Sequence, residues 1–86
     1  MHSVELLEQA IASAEKLGYS VRHEWLGGTG GGACEFAGRK WIFIDLALSV
    51  IEQLDQVTEA LRQDPAAALV ELPPAMQATL GFKRAA

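Results

Sequence analysis

Gly38-Arg39-Lys40-Trp41-Ile42-Phe43-Ile44-Asp45, "GRKWIFID", opens on a tight turn at Gly38-Arg39 and runs into an uninterrupted stretch of large apolar residues, Trp41–Ile44. Side chains alternate along a strand, so Trp41 and Phe43 point one way while Ile42 and Ile44 point the other. A strand over Lys40–Asp45 with apolar residues on both sides is expected to be buried on both faces. A single layer of helices covers one face of a sheet. The other face is left for the C-terminal segment or for another subunit.

Upstream, Tyr19–Trp25 alternates Tyr19, Val21, His23 and Trp25 against Ser20, Arg22 and Glu24, the pattern of a half-buried strand. Gly27-Gly28-Thr29-Gly30-Gly31-Gly32 connects it to a second strand, Ala33–Ala37, with Cys34 and Phe36 on one face. Before these strands, Val4, Leu7, Ile11, Ala14 and Leu17 recur at helical spacing over Ser3–Leu17. Ser3 is placed to cap that helix, and Gly18 supplies a left-handed stop. After the third strand, Ser49-Val50-Ile51-Glu52 reads as a capping box, and Val50, Leu54, Val57 and Leu61 form the buried stripe of the helix it starts. Asp64-Pro65 restarts a short helix, Leu72-Pro73-Pro74 breaks the chain, and Ala75–Leu80 forms a last turn or two before Gly81. The predicted fold is α+β, in the order α-β-β-β-α. It is a three-stranded antiparallel meander with the two long helices on one face and one or two short C-terminal helices. Residues 1–86 read as one domain.

Composition narrows the function. Half of the 86 residues are hydrophobic, 21% are charged and the net charge is −4. No stretch approaches the roughly 20 apolar residues of a membrane span. The start of the chain has no basic segment followed by an apolar one, so a cytoplasmic protein without a secretory signal is expected. A lone cysteine, Cys34, fits a reducing compartment. The acidic balance and the scattered basic residues argue against nucleic acid. A chain of this mass buries only about 63% of its extended surface. Its apolar content exceeds what so small a core hides, so a homodimer is expected.

Several constellations invite chemistry. Gly28-Thr29-Gly30-Gly31-Gly32-Ala33 spells a dinucleotide-binding pattern, but that chemistry needs a helix to follow, and a strand follows here. The glycines fit a wide hairpin connection, with a backbone-lined anion or peptide site as the functional reading. His23-Glu24 lacks a histidine four residues on, and His2, His23 and Cys34 are too few for a structural zinc site. No metal or cofactor is therefore expected. His23 reads as a core-edge histidine and Cys34 as a buried thiol. The competing reading pairs Cys34 with His23 across adjacent strands as nucleophile and base, with Asp45 nearby at the end of the third strand.

The element order resembles that of double-stranded RNA-binding domains, whose basic helix start is here replaced by Ser49-Val50-Ile51-Glu52-Gln53. That replacement removes the phosphate contacts. Lys40–Arg62 resembles the strand-and-helix core of zincin-type metallopeptidases. Thr58 and Arg62 stand where that family has its zinc histidines, and Glu59 where it has its general base, so the resemblance implies a chain without the metal chemistry. As a whole, with "LGGTGGGAC" and "GRKWIFID", the chain is similar to small uncharacterised bacterial proteins with a glycine-rich hairpin, a resemblance that implies no activity. The functional expectation is a non-catalytic module for self-association and for binding a protein or peptide. Trp25, Gly28, Thr29, Gly30, Gly31, Trp41 and Phe43 are its candidate residues. The alternative is a small enzyme or ligand-binding protein using His23, Cys34 and Asp45.

Overall fold

The computed structural model describes residues 2–28 and 30–81. Its elements are α1 (Ser3–Lys16), β1 (Tyr19–Glu24), β2 (Gly32–Phe36), β3 (Arg39–Asp45), α2 (Val50–Gln63), a 3-10 helix (Pro65–Leu69) and α3 (Pro74–Leu80). The mixed α+β architecture agrees with the sequence; the arrangement of the sheet does not. The strand order is β1-β3-β2, with β1 and β3 parallel and β2 and β3 antiparallel. The expected meander is therefore incorrect. The connection after β1 is long enough to carry the chain past the end of β3's position to the far side. β3, the most apolar strand, then fills the centre, where a strand makes ladder bonds on both edges. The parallel ladder extends beyond the strands, with the Leu46 N–H donating to the Glu24 carbonyl at 2.9 Å.

Local signals explain most element ends. The Ser49 hydroxyl accepts from the Glu52 N–H at 3.2 Å and the Glu52 carboxylate accepts from the Ser49 N–H at 3.1 Å, closing the capping box of α2. Asp64 caps the 3-10 helix by accepting from the Ala66 N–H at 2.9 Å. Ser3 does not cap α1: it is the first helical residue, and His2 precedes it without a side-chain cap bond. Trp25 falls outside β1 and is 75% exposed.

The core lies on one side of the sheet. Ile42 and Ile44 are fully buried among Leu7, Ala10 and Ala14 of α1 and Leu54, Val57 and Leu61 of α2. Leu72, Met76 and Leu80 join the same cluster, because α3 packs on α1 and α2 rather than on the sheet. Among the described residues, the C-terminal segment thus leaves the second face of the sheet uncovered. Trp41 and Phe43, expected to be buried there, are only half-buried.

Ala37 and Gly38 form the two-residue turn between β2 and β3, both at positive φ, 54° and 77°. A turn that needs two left-handed residues favours Asn-Gly, and alanine there carries Cβ strain. Ala37→Asn is expected to stabilise the fold by about 0.5–1 kcal/mol, read as a higher urea midpoint. An unchanged or lower midpoint contradicts this account of the turn.

Candidate functional site

Two places carry the candidate residues: the glycine-rich loop and the uncovered sheet face. The loop is fastened from inside by Asp45, whose side chain is completely buried. Its Oδ1 accepts from the N–H groups of Leu26 at 3.0 Å and Ala47 at 2.9 Å, and its Oδ2 accepts from that of Gly28 at 2.6 Å. Burial pushes the carboxyl pKa up, yet the donors at Ala47, Leu26 and Gly28 outweigh it and hold the group below its ordinary value. Gln56 of α2 adds a second fastening: its Oε1 accepts from the Asp45 N–H at 3.1 Å and its Nε2 donates to the Gly30 carbonyl at 3.0 Å.

This arrangement decides what the loop offers. The Leu26 and Gly28 amides point at Asp45, so they are not presented to an anion. Gly31, at φ +104°, sits so close to Phe43 and Gln56 that a Cβ would collide with both. Gly28 and Gly30 are exposed on the outside of the loop, and Thr29 lies outside the described residues. Asp45 acts here as a structural anchor, a role its position at a strand end did not reveal.

His23 and Cys34 are not brought together. β3 lies between their strands, and the register puts His23 level with Ile44 and Cys34 level with Trp41, on opposite faces of the sheet. Both are exposed, contrary to the expected core-edge histidine and buried thiol. β2 is an edge strand, and among the described residues no layer covers Cys34. Thr58 is buried with its hydroxyl donating to the Leu54 carbonyl at 2.9 Å, while Arg62 pairs with Glu59 at 3.2 Å and reaches the Thr79 carbonyl at 3.1 Å. Among the described residues no group of three His, Cys, Asp or Glu is placed to hold a metal ion.

The uncovered face gathers the apolar candidates. The register aligns Ser20, Arg22 and Glu24 of β1 with Trp41 and Phe43 of β3 and with Cys34 and Phe36 of β2. Trp41 and Phe43 stack, with ring centroids 5.9 Å apart and 17° between planes. The Arg39 guanidinium lies 5.7 Å from the Trp41 ring centre. Arg22, Cys34, Phe36, Trp41 and Phe43 line a shallow hollow of about 370 Å³. Phe36 is 73% exposed beside it. Cys34 and Phe36, read from the sequence as sharing a face, complete this patch.

A polar cluster that the sequence reading missed ties β1 and β3 to the end of α2. The Tyr19 hydroxyl donates to Asp64 Oδ2 at 2.7 Å, and Lys40 Nζ reaches the same oxygen at 3.0 Å while lying 4.5 Å from the Tyr19 ring centre. Desolvation, then the bond to Asp64, pushes the Tyr19 pKa up to about 12, and the Tyr19 hydroxyl in turn holds Asp64 below its ordinary value. A raised tyrosine pKa means that the cluster's contribution is complete below pH 10 and is lost as pH rises through about 12. Tyr19 is the only tyrosine, so tyrosinate absorbance isolates it. The native chain should titrate near 12 and Asp64→Asn closer to 10; identical curves contradict the bond.

No protein family, curated protein or solved structure matches this chain. No helix among the described residues is long and apolar enough to cross a membrane.

Proposed function

We propose that this chain is a non-catalytic association module of the cytoplasm that pairs with a second copy, as a homodimer, through the uncovered face of its sheet. One observation carries the reading. Among the described residues the C-terminal segment packs on the helix side, so no element lies over the half-buried Trp41 and Phe43. Aromatic rings grouped on an otherwise flat surface mark interface centres, where desolvation of a few large side chains supplies most of the free energy. The separation of His23 from Cys34 and the enclosure of Asp45 leave the competing enzymatic reading without a nucleophile–base pair.

Trp25→Phe leaves Trp41 as the single tryptophan and alters an exposed loop residue only. Diluting that variant from about 200 µM to about 1 µM should red-shift Trp41 emission, because the ring passes from a partner's surface into water. An emission maximum that stays constant over this range contradicts pairing through this face.

A further inference from the structure

The charges of the chain are sorted between its two layers, and this sorting bears on how two copies meet. Among the described residues, Glu5, Glu8 and Glu15 of α1 and Glu52, Asp55 and Glu59 of α2 are exposed on the helix layer, against Lys16 and Arg62 of the same helices. The uncovered sheet face holds Arg22, Arg39 and Glu24, and Arg22 pairs with Glu24 at 3.3 Å. Among the described residues the excess negative charge is therefore kept away from the aromatic face of the sheet.

Resting on the reading above, we infer that the second copy docks sheet face against sheet face about a two-fold axis, with Trp41 and Phe43 at the centre and both acidic helix layers outward. Packed sheets lie about 10 Å apart and each helix layer lies about as far again beyond its sheet, so the two acidic surfaces are on the order of 30 Å apart. That exceeds the Debye length of about 8 Å at physiological salt, and their repulsion is screened. Docking that buries a helix layer instead strips water from several exposed carboxylates. The face spans roughly 15 Å by 20 Å. Pairing it buries on the order of 600 Å² in total, below the size of stable specific interfaces, so the expected pairing is weak and exchanging. Such an isologous contact uses the same patch on both copies and closes at the dimer.

Sedimentation equilibrium combined with thiol labelling tests this arrangement. Cys34 is the native probe on the face, and Cys34→Ser/Asp55→Cys moves the single thiol to the exposed surface of α2. As concentration rises, the mass should level off at twice 9.3 kDa. The Cys34 modification rate should fall about tenfold while the Asp55→Cys rate stays constant. A mass climbing past the dimer, or shielding of the thiol at position 55, overturns the face-to-face arrangement and leaves association itself standing. A dimer in which Cys34 stays fully reactive, or a monomer at every concentration, overturns both this arrangement and the reading beneath it, the monomer pointing to a foreign partner for the face.

Discussion

Asp45→Ala is expected to lower the thermal unfolding midpoint by about 10 °C or more and to open the segment between Trp25 and Gly32 to proteases. The carboxylate accepts three backbone N–H groups from the loop and from the start of the β3–α2 connection, and it is entirely enclosed. Removing it releases all three fastenings at once and leaves a void where the enclosed carboxylate stood. Asp45→Asn keeps the shape and one acceptor oxygen, and should fall between the wild type and the alanine variant. The pH dependence has a definite sign. Because the native carboxyl sits below its ordinary pKa, its contribution is present above that ordinary value and fades as pH falls through the lower native one. Wild type should therefore lose more stability in acid than Asp45→Asn does. An Asp45→Ala midpoint equal to that of the wild type removes the anchor from this account.

Gly31→Ala is expected to destabilise the fold by about 2–3 kcal/mol, the cost of backbone strain joined to steric displacement. The residue has φ +104°, its added Cβ would lie 2.9 Å from the Phe43 carbonyl oxygen, and it would strike the Gln56 amide. Displacing Gln56 also breaks its bonds to the Asp45 N–H and the Gly30 carbonyl, so loop and strand loosen together. Gly27→Ala is the control. It has a positive φ, 75°, but open space around the new methyl, and should cost only about 1 kcal/mol. Equal losses in chemical denaturation at the two positions contradict the close approach of the loop to α2.

The helices were legible because their ends carry side-chain chemistry: the capping box at Ser49 and Glu52 and the Asp64-Pro65 restart are local events. The strand order was not. Neighbouring strands in sequence usually pair, and that default yields a meander. The contrary signal was present in "WIFI", since a strand apolar on both sides belongs in the middle of a sheet. The glycine-rich connection is long enough to leave that middle place open. Cys34 read as buried because cysteine usually is. Its exposure follows from the strand order, which makes β2 an edge. Asp45 read as a neighbour of a Cys34–His23 pair rather than as an anchor, because its three bonding partners are backbone amides and carry no residue-type signature. The Tyr19–Lys40–Asp64 cluster joins residues up to 45 positions apart, and its geometry depends on the β1–β3 pairing that sequence order conceals.

The face formed by Trp41, Phe43, Cys34 and Phe36 is the centre of the account. Its most direct test is sedimentation equilibrium of wild type beside Trp41→Lys/Phe43→Lys at concentrations up to about 200 µM. The fully buried core on the other side of the sheet, Ile42 and Ile44 included, is untouched by these changes. Wild type should approach twice the chain mass of 9.3 kDa while the double variant, still folded by circular dichroism, stays at the single mass. Equal association of the two proteins, or a wild type that remains monomeric throughout, contradicts the account.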